Sequence, residues 1–241
     1  PFNGNANDES GNGNNGAVNG ATLTTDRHGN ADSAYDFDGV DDYIDLTSVD
    51  FSISGRAPRS IFGWIKTAKK LNVLVSLGSA SHNRAFTIGN INGNGVLSVM
   101  GFTNDFYPNE GIEYNDDKWN LIGATYDADG NIRTYVNGEL DNVGVKIYDT
   151  SGNSNYIGVN NHSFTGHTEG RIDDVRIYNR ALSEEDVAAL YELEKPTTTG
   201  STFEIVQGSF SWHEARADAE ARGGRLAVLN TQEKIDEANS F

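Results

Sequence analysis

The chain has 241 residues and no cysteine, which excludes a disulfide framework, a zinc–thiolate site and a cysteine nucleophile. Thirty-five acidic against eighteen basic residues leave a net charge of −17, which argues against nucleic acid or an anionic membrane as partner. No stretch approaches the roughly 18 apolar residues of a membrane span, so membrane insertion is not expected.

Two compositional regimes follow one another. Residues 1 to about 180 are rich in Asn, Gly, Asp and aromatics, and helical periodicity is almost absent. Strands are predicted at Ala34–Phe37, Tyr43–Leu46, Ser60–Lys66, Asn72–Leu77, Ala85–Ile91, Val96–Phe102, Trp119–Tyr126, Ile132–Val136, Asn155–Val159 and Gly170–Tyr178. Asn92-Gly-Asn-Gly95, Asp129-Gly130 and Asn137-Gly138 supply turns between them, because Asn and Gly tolerate positive φ. Many short strands with no helices between them predict an all-β antiparallel sandwich. In the last strand, strict alternation places Asp173, Val175 and Ile177 on one inward face.

The second regime starts after Tyr178. Ser183-Glu-Glu-Asp186 opens a short helix, with Ser183 as cap and Val187, Leu190 and Tyr191 as its apolar stripe. Residues 195–201 lack apolar side chains and read as a linker. A strand (Phe203–Val206) and a helix (Ser211–Arg222) follow, closed by Gly223-Gly224.

Five stretches in order carry a resemblance. They are Asn7 through Asn14, Tyr35-Asp-Phe-Asp-Gly-Val-Asp-Asp-Tyr43, Trp119 through Tyr126, Thr134-Tyr-Val-Asn-Gly-Glu139, and Gly170 through Val187. Together they resemble the laminin-G-like, pentraxin-like jelly-roll domains of large secreted bacterial proteins. The resemblance covers residues 1–194 and implies a concanavalin A-like sandwich with a short C-terminal helix. The tail, residues 202–241, resembles the start of a C-type-lectin-like domain at Phe203-Glu-Ile-Val-Gln-Gly, Ser211-Trp-His-Glu-Ala215 and Arg222-Gly-Gly-Arg-Leu-Ala227. It is a small α+β fragment of that family, about a third of its length, and no lectin activity is assigned to it.

Catalysis finds no support in the residues. The Glu-x-Asp-x-x-Glu spacing that a retaining glucanase of this architecture would need is missing. Nucleophile elbows, phosphate-cradling glycine loops and His-Glu-x-x-His helices are missing too. Calcium fits the composition better, since it takes six to eight oxygen ligands. Asp127-x-Asp-Gly-Asn131 is read as a hairpin turn and Asp36 through Asp45 as a turn with solvated carboxylates. The preferred metal set is Asp8, Asn12 and Asn14 on one loop with Asp173 on the last strand, joined by a structural Ca²⁺. Backbone N–H groups donated to Asp173 are the alternative, because an inward carboxylate needs a cation or donors.

Ligand recognition is expected on loops over a rigid sheet. His82 and Arg84, then Phe102, Asn104, Asp105 and Tyr107, with His162 on a third loop, combine aromatic platforms with hydrogen-bonding groups. The expected function is a non-catalytic extracellular recognition module, secreted or cell-surface, binding a glycan or a cell-surface protein. Its rival is a spacer domain of a surface adhesin with no ligand of its own.

Overall fold

The computed structural model describes residues 2–162, 166–196 and 212–222. The chain divides into two compact units, Pro1–Pro196 and Thr197–Phe241. In the first, β1 (Ala17–Asn19), β2 (Thr22–Thr24), β3 (Ala34–Asp38) and β4 (Tyr43–Asp45) come before the longer strands. These are β5 (Arg59–Lys66), β6 (Asn72–Gly78), β7 (Ala85–Asn90), β9 (Trp119–Tyr126), β10 (Asn131–Val136) and β11 (Glu139–Val145), with the short β8 (Ser98–Met100) between β7 and β9. The unit closes with β12 (Tyr156–Ile157), β13 (Glu169–Tyr178) and α1 (Glu184–Glu194).

Two antiparallel sheets form the expected sandwich. One has the order β1-β4-β12-β6-β7-β8 and the other β11-β10-β9-β5-β13-β3-β2. Ile61 and Ile65 of β5, Val75 and Leu77 of β6, Ile88 of β7 and Ile122 and Ala124 of β9 fill the space between them. Alternate residues along these strands face that core, as the two-residue strand period requires.

Three strands escaped the sequence reading. β1 and β2 are three residues each, too short to show a period. β11 is an edge strand whose Leu140, Val143 and Val145 are exposed, so it lacks the buried-apolar signature. The Asn137-Gly138 turn is as expected: both residues have positive φ (52° and 81°) and Val136 faces Glu139 across it.

α1 packs on the outer face of the seven-stranded sheet. Val187, Leu182, Leu190 and Tyr191 meet Phe62, Trp64, Leu121 and Tyr135 in a second, smaller core. The Tyr191 and Trp64 rings stack with centroids 5.8 Å apart. At its start, the Ser183 side chain accepts from the Asp186 N–H while the Asp186 carboxylate accepts from the Ser183 N–H. This capping box satisfies two donors that a helix end otherwise leaves open.

In the second unit, α2 (Trp212–Ala221) is described as a helix. The strand expected at Phe203–Val206 and the Gly223-Gly224 cap lie outside the described residues, as does most of the proposed lectin-like fragment.

Ser183→Ala removes the cap and is expected to cost about 1 kcal/mol. In a unit of this size that is about 2–4 °C in melting temperature, measurable by calorimetry.

Candidate functional site

The predicted ligand residues converge at one end of the sandwich. His82, on the β6–β7 turn, lies with its Nδ1 2.6 Å from the Thr103 hydroxyl. Phe102 meets His162 edge to face, ring centroids 4.6 Å apart. The Asn104 amide donates to the Ile147 carbonyl, and the Asp105 carboxylate accepts from the Gly101 N–H. Tyr107 and Arg84 are exposed on the same loops. Burial, with the Asp105 charge beside it, pushes the Tyr107 hydroxyl up to about 12, so it stays a neutral hydrogen-bonding group at physiological pH.

The sequence did not reveal how these loops are held. Asn83, Phe102 and Thr103 have φ of 62°, 58° and 65°. Left-handed backbone is unusual for a bulky or β-branched residue and persists only where its surroundings enforce it. Asn83 O accepts from Asp149 N and Arg84 O from Ser151 N, which ties the first loop to the segment before β12. Thr150 pairs in turn with Gly55. Below them Arg59 is fully buried, donating to the Ala57 and Gly55 carbonyls. Its guanidinium lies 5.1 Å from the Phe86 ring centre and 5.2 Å from that of Tyr126. Burial pulls its pKa down to about 10, still far enough above neutrality to leave it charged.

The metal candidates are arranged differently. Asp8 folds its own loop: its carboxylate accepts from Ser10 N, Ser10 Oγ and Asn14 N, and these bonds hold it below the usual carboxylate range. Asn12 donates to Ser10 Oγ. The loop reaches β13, where Asp8, Asn12 and Asn14 line a cavity with Val175 and Ile177. Asp173 is turned away from it.

The cause is a bulge. Asp173 stands opposite Trp64 and Arg176 opposite Phe62, so two residues, Asp174 and Val175, face the single Gly63. Asp174 takes φ 46°, and the alternation slips by one. Ile172, Val175 and Ile177 therefore face the main core, while Asp173 shares the outer face with Trp64 under α1. The expectation that Asp173, Val175 and Ile177 share one face is corrected accordingly.

On that outer face Asp173 has a cation already. Arg27 Nη1 lies 2.5 Å from Asp173 Oδ2, and Arg27 Nη2 lies 2.5 Å from Asp174 Oδ2. Arg27 Nε donates to the Glu194 carbonyl at 2.7 Å, and the guanidinium sits 4.8 Å from the Trp64 ring centre. The Glu194 carboxylate accepts from Trp64 Nε1 and pairs with Arg176. Arg27 owes its position to an Asp26–Asn30 turn in which the Asp26 carboxylate accepts from His28 N, Asn30 N and Asn30 Nδ2. A Ca²⁺ shared between Asp173 and the Asp8 loop does not fit these residues, since Asp173 faces the other side of β13 from the cavity that this loop lines and is already paired with Arg27.

The two acids divide one guanidinium unequally. Burial and the neighbouring Asp174 charge push Asp173 up to about 7, and Arg27 pulls Asp174 down to about 2. Elsewhere, one ligand oxygen each of Asp38, Asp41 and Asp42 lies within 4.8 Å of the others. Hydrogen bonds from Val40 N and Asp41 N to Asp38, and from Asp38 N to Asp42, account for this cluster as a turn. The Asp127 turn is likewise closed by bonds from Asp129 N and Asn131 N.

A family model described as the concanavalin A-like lectin/glucanases superfamily (Laminin_G_3) matches residues 38–188. No curated protein matches the chain in sequence. Among solved structures, domain 4 of AbnA, an extracellular GH43 arabinanase from Geobacillus stearothermophilus in complex with arabinotriose, is similar. It is 20% identical with TM-score 0.56, and the match covers 79% of this chain and 94% of that one. The binding domain of Paraclostridial Mosquitocidal Protein 1 is 18% identical (TM-score 0.59; 78% and 49% covered). The botulinum neurotoxin serotype D binding domain is 21% identical (TM-score 0.53; 77% and 48% covered). The chain thus spans about half the length of the two toxin domains. Among the described residues no helix is long and apolar enough to cross a membrane.

Two outcomes follow from the charge cluster. Arg27→Met leaves buried carboxylates without their cation and is expected to cost about 3–5 kcal/mol, equally in Ca²⁺ and in EDTA, by urea denaturation. The pH dependence has a definite sign. A carboxylate raised to about 7 contributes stability fully below its unfolded pKa and loses it as pH rises through 7. Asp174, depressed to about 2, contributes above its unfolded pKa and loses stability as pH falls toward 2. Melting temperature should therefore fall as pH rises from about 4 to about 7 and level off above that, and Asp173→Asn should flatten that fall.

Proposed function

The chain belongs to the concanavalin A-like lectin/glucanase superfamily, and on that premise we propose that it is a non-catalytic, extracellular recognition module that binds carbohydrate at the loop end. The observation that carries this reading is the convergence of separate loops into one braced surface: His82 on Thr103, Phe102 on His162, Asn104 on Ile147. Rings for stacking and amide, carboxylate, imidazole and guanidinium groups for hydroxyls stand together there, which is what sugar recognition requires.

A mixed surface of this kind holds a neutral sugar by stacking one ring face and hydrogen-bonding its edges. The acidic protein disfavours polyanionic glycans, because a net charge of −17 repels them at long range. The toxin binding domains and the arabinotriose-bound arabinanase domain among its structural neighbours support recognition over hydrolysis.

A glycan array that includes arabinan oligosaccharides tests the reading. Selective binding is expected, weakened about tenfold or more (1.4 kcal/mol) in Tyr107→Ala and Arg84→Ala with unchanged melting curves. Silence across the array leaves the spacer reading in its place.

A further inference from the structure

Arg59 lies wholly inside the sandwich, 0% exposed, and among the described residues no acid forms an ion pair with it. Its Nε and Nη2 donate to the Ala57 and Gly55 carbonyls, while Nη1 meets no acceptor. The Phe86 and Tyr126 rings beside the guanidinium offset only part of its charge. A buried cation stripped of its water needs a full negative charge opposite it.

Two more buried polar atoms near this guanidinium lack a partner. Gly55 O accepts from Arg59 Nη2 at 2.8 Å and also from Thr150 N at 3.2 Å. Thr150 is therefore next to the guanidinium; it is 2% exposed, and its hydroxyl is unpartnered. The buried Oδ1 of Asn83 is unpartnered too, on a residue whose carbonyl accepts from Asp149 N. Polar atoms in a folded interior are normally satisfied, so several gathered in one place mark a site for something the chain does not supply. They belong to the start of β5, the β6–β7 turn and the segment before β12, and none comes from the first residues of the chain.

We propose that Arg59 Nη1 and the Thr150 hydroxyl bind a small monovalent anion, chloride, inside the loop end of the sandwich. The two Nη1 N–H groups and the Thr150 O–H donate to it, and its charge cancels that of the guanidinium. A divalent oxyanion sheds more hydration and leaves a net negative charge buried. Water makes the same hydrogen bonds but leaves the cation uncompensated. The net charge of −17 does not exclude the ion, because surface charge is screened over about 8 Å at physiological salt. Chloride fastens β5 to residues 149–151, which in turn hold the Asn83 and Arg84 carbonyls. It is a structural ligand beneath the recognition loops, independent of what those loops bind.

Thermal melts of the full chain in sodium chloride and in sodium gluconate at equal ionic strength test the site, gluconate being too large to enter it. Melting temperature is expected to be about 2 °C or more higher in chloride, by linkage of binding to folding. Thr150→Val keeps the side-chain shape and removes the hydroxyl, and it should remove most of that difference. Arg59→Met should do the same, provided its own melting curve shows a fold. Crystals grown in sodium bromide should give an anomalous peak beside Arg59 Nη1. An equal response to the two salts, or the same difference in wild type and Thr150→Val, overturns the anion site. So does a water bridging Arg59 to Asn83 in place of the bromide.

Discussion

One left-handed residue decides what each face of this sandwich is made of. Asp174 opens the bulge in β13, and Gly63 across from it has no side chain to obstruct the extra residue. A Cβ on Gly63 would stand 2.8 Å from a Leu74 methyl and 3.3 Å from a Val175 methyl, so a side chain there would crowd the bulge against the core. Without the slip, alternation from the inward Ile172 would carry Asp174 and Arg176 into the core, charges in an apolar layer. With it, both acids reach the outer face, where Arg27 and the end of α1 can meet them. The same slip keeps Val175 and Ile177 on the inner side, where they wall the cavity.

The cluster built on that bulge joins parts of the chain far apart in sequence. Arg27 belongs to a turn after β2, Trp64 to β5, Asp173 to β13 and Glu194 to the last turn of α1. A guanidinium suits the place because it is planar and donates in several directions at once. It serves two carboxylates and a helix-end carbonyl while lying over the Trp64 ring. A metal ion would want those oxygens turned inward around itself; here they are spread along the edge of one flat cation.

Much of this fold was legible because its signals are local. Ser183 and Asp186 define a cap three residues apart, and Asn137-Gly138 defines a turn by backbone tolerance alone, so both could be read from adjacent residues. The loops of the candidate site were likewise legible as chemistry: aromatic, amide and imidazole groups in short stretches. The bulge was not, since strict alternation is the default for a strand and only the packing around Gly63 and Leu74 departs from it. Arg27 was missed for a related reason. Its Asp26–Asn30 turn has the same Asp-x-x-Gly-Asn form as Asp127–Asn131, and nothing local says that one points its second residue into a charge cluster and the other does not.

The asparagine content has a structural meaning that composition alone could not assign. Long connections in an all-β protein carry backbone groups with no ladder to join, and burying them unpaired is costly. Asn161 donates to the Gly78 carbonyl, Asn155 accepts from Gly78 N, and Asn90 donates to the Val96 carbonyl, each as a buried side chain standing in for a strand partner. Asn137, in the β10–β11 turn, donates to the Asn120 side chain of β9. Two of these, Asn155 and Asn161, fasten the segments around β12 to the end of β6, next to the loops that hold His82 and His162. Rigid loops lose little entropy on binding, so the same side chains that let the connections be buried also preorganise the surface they support.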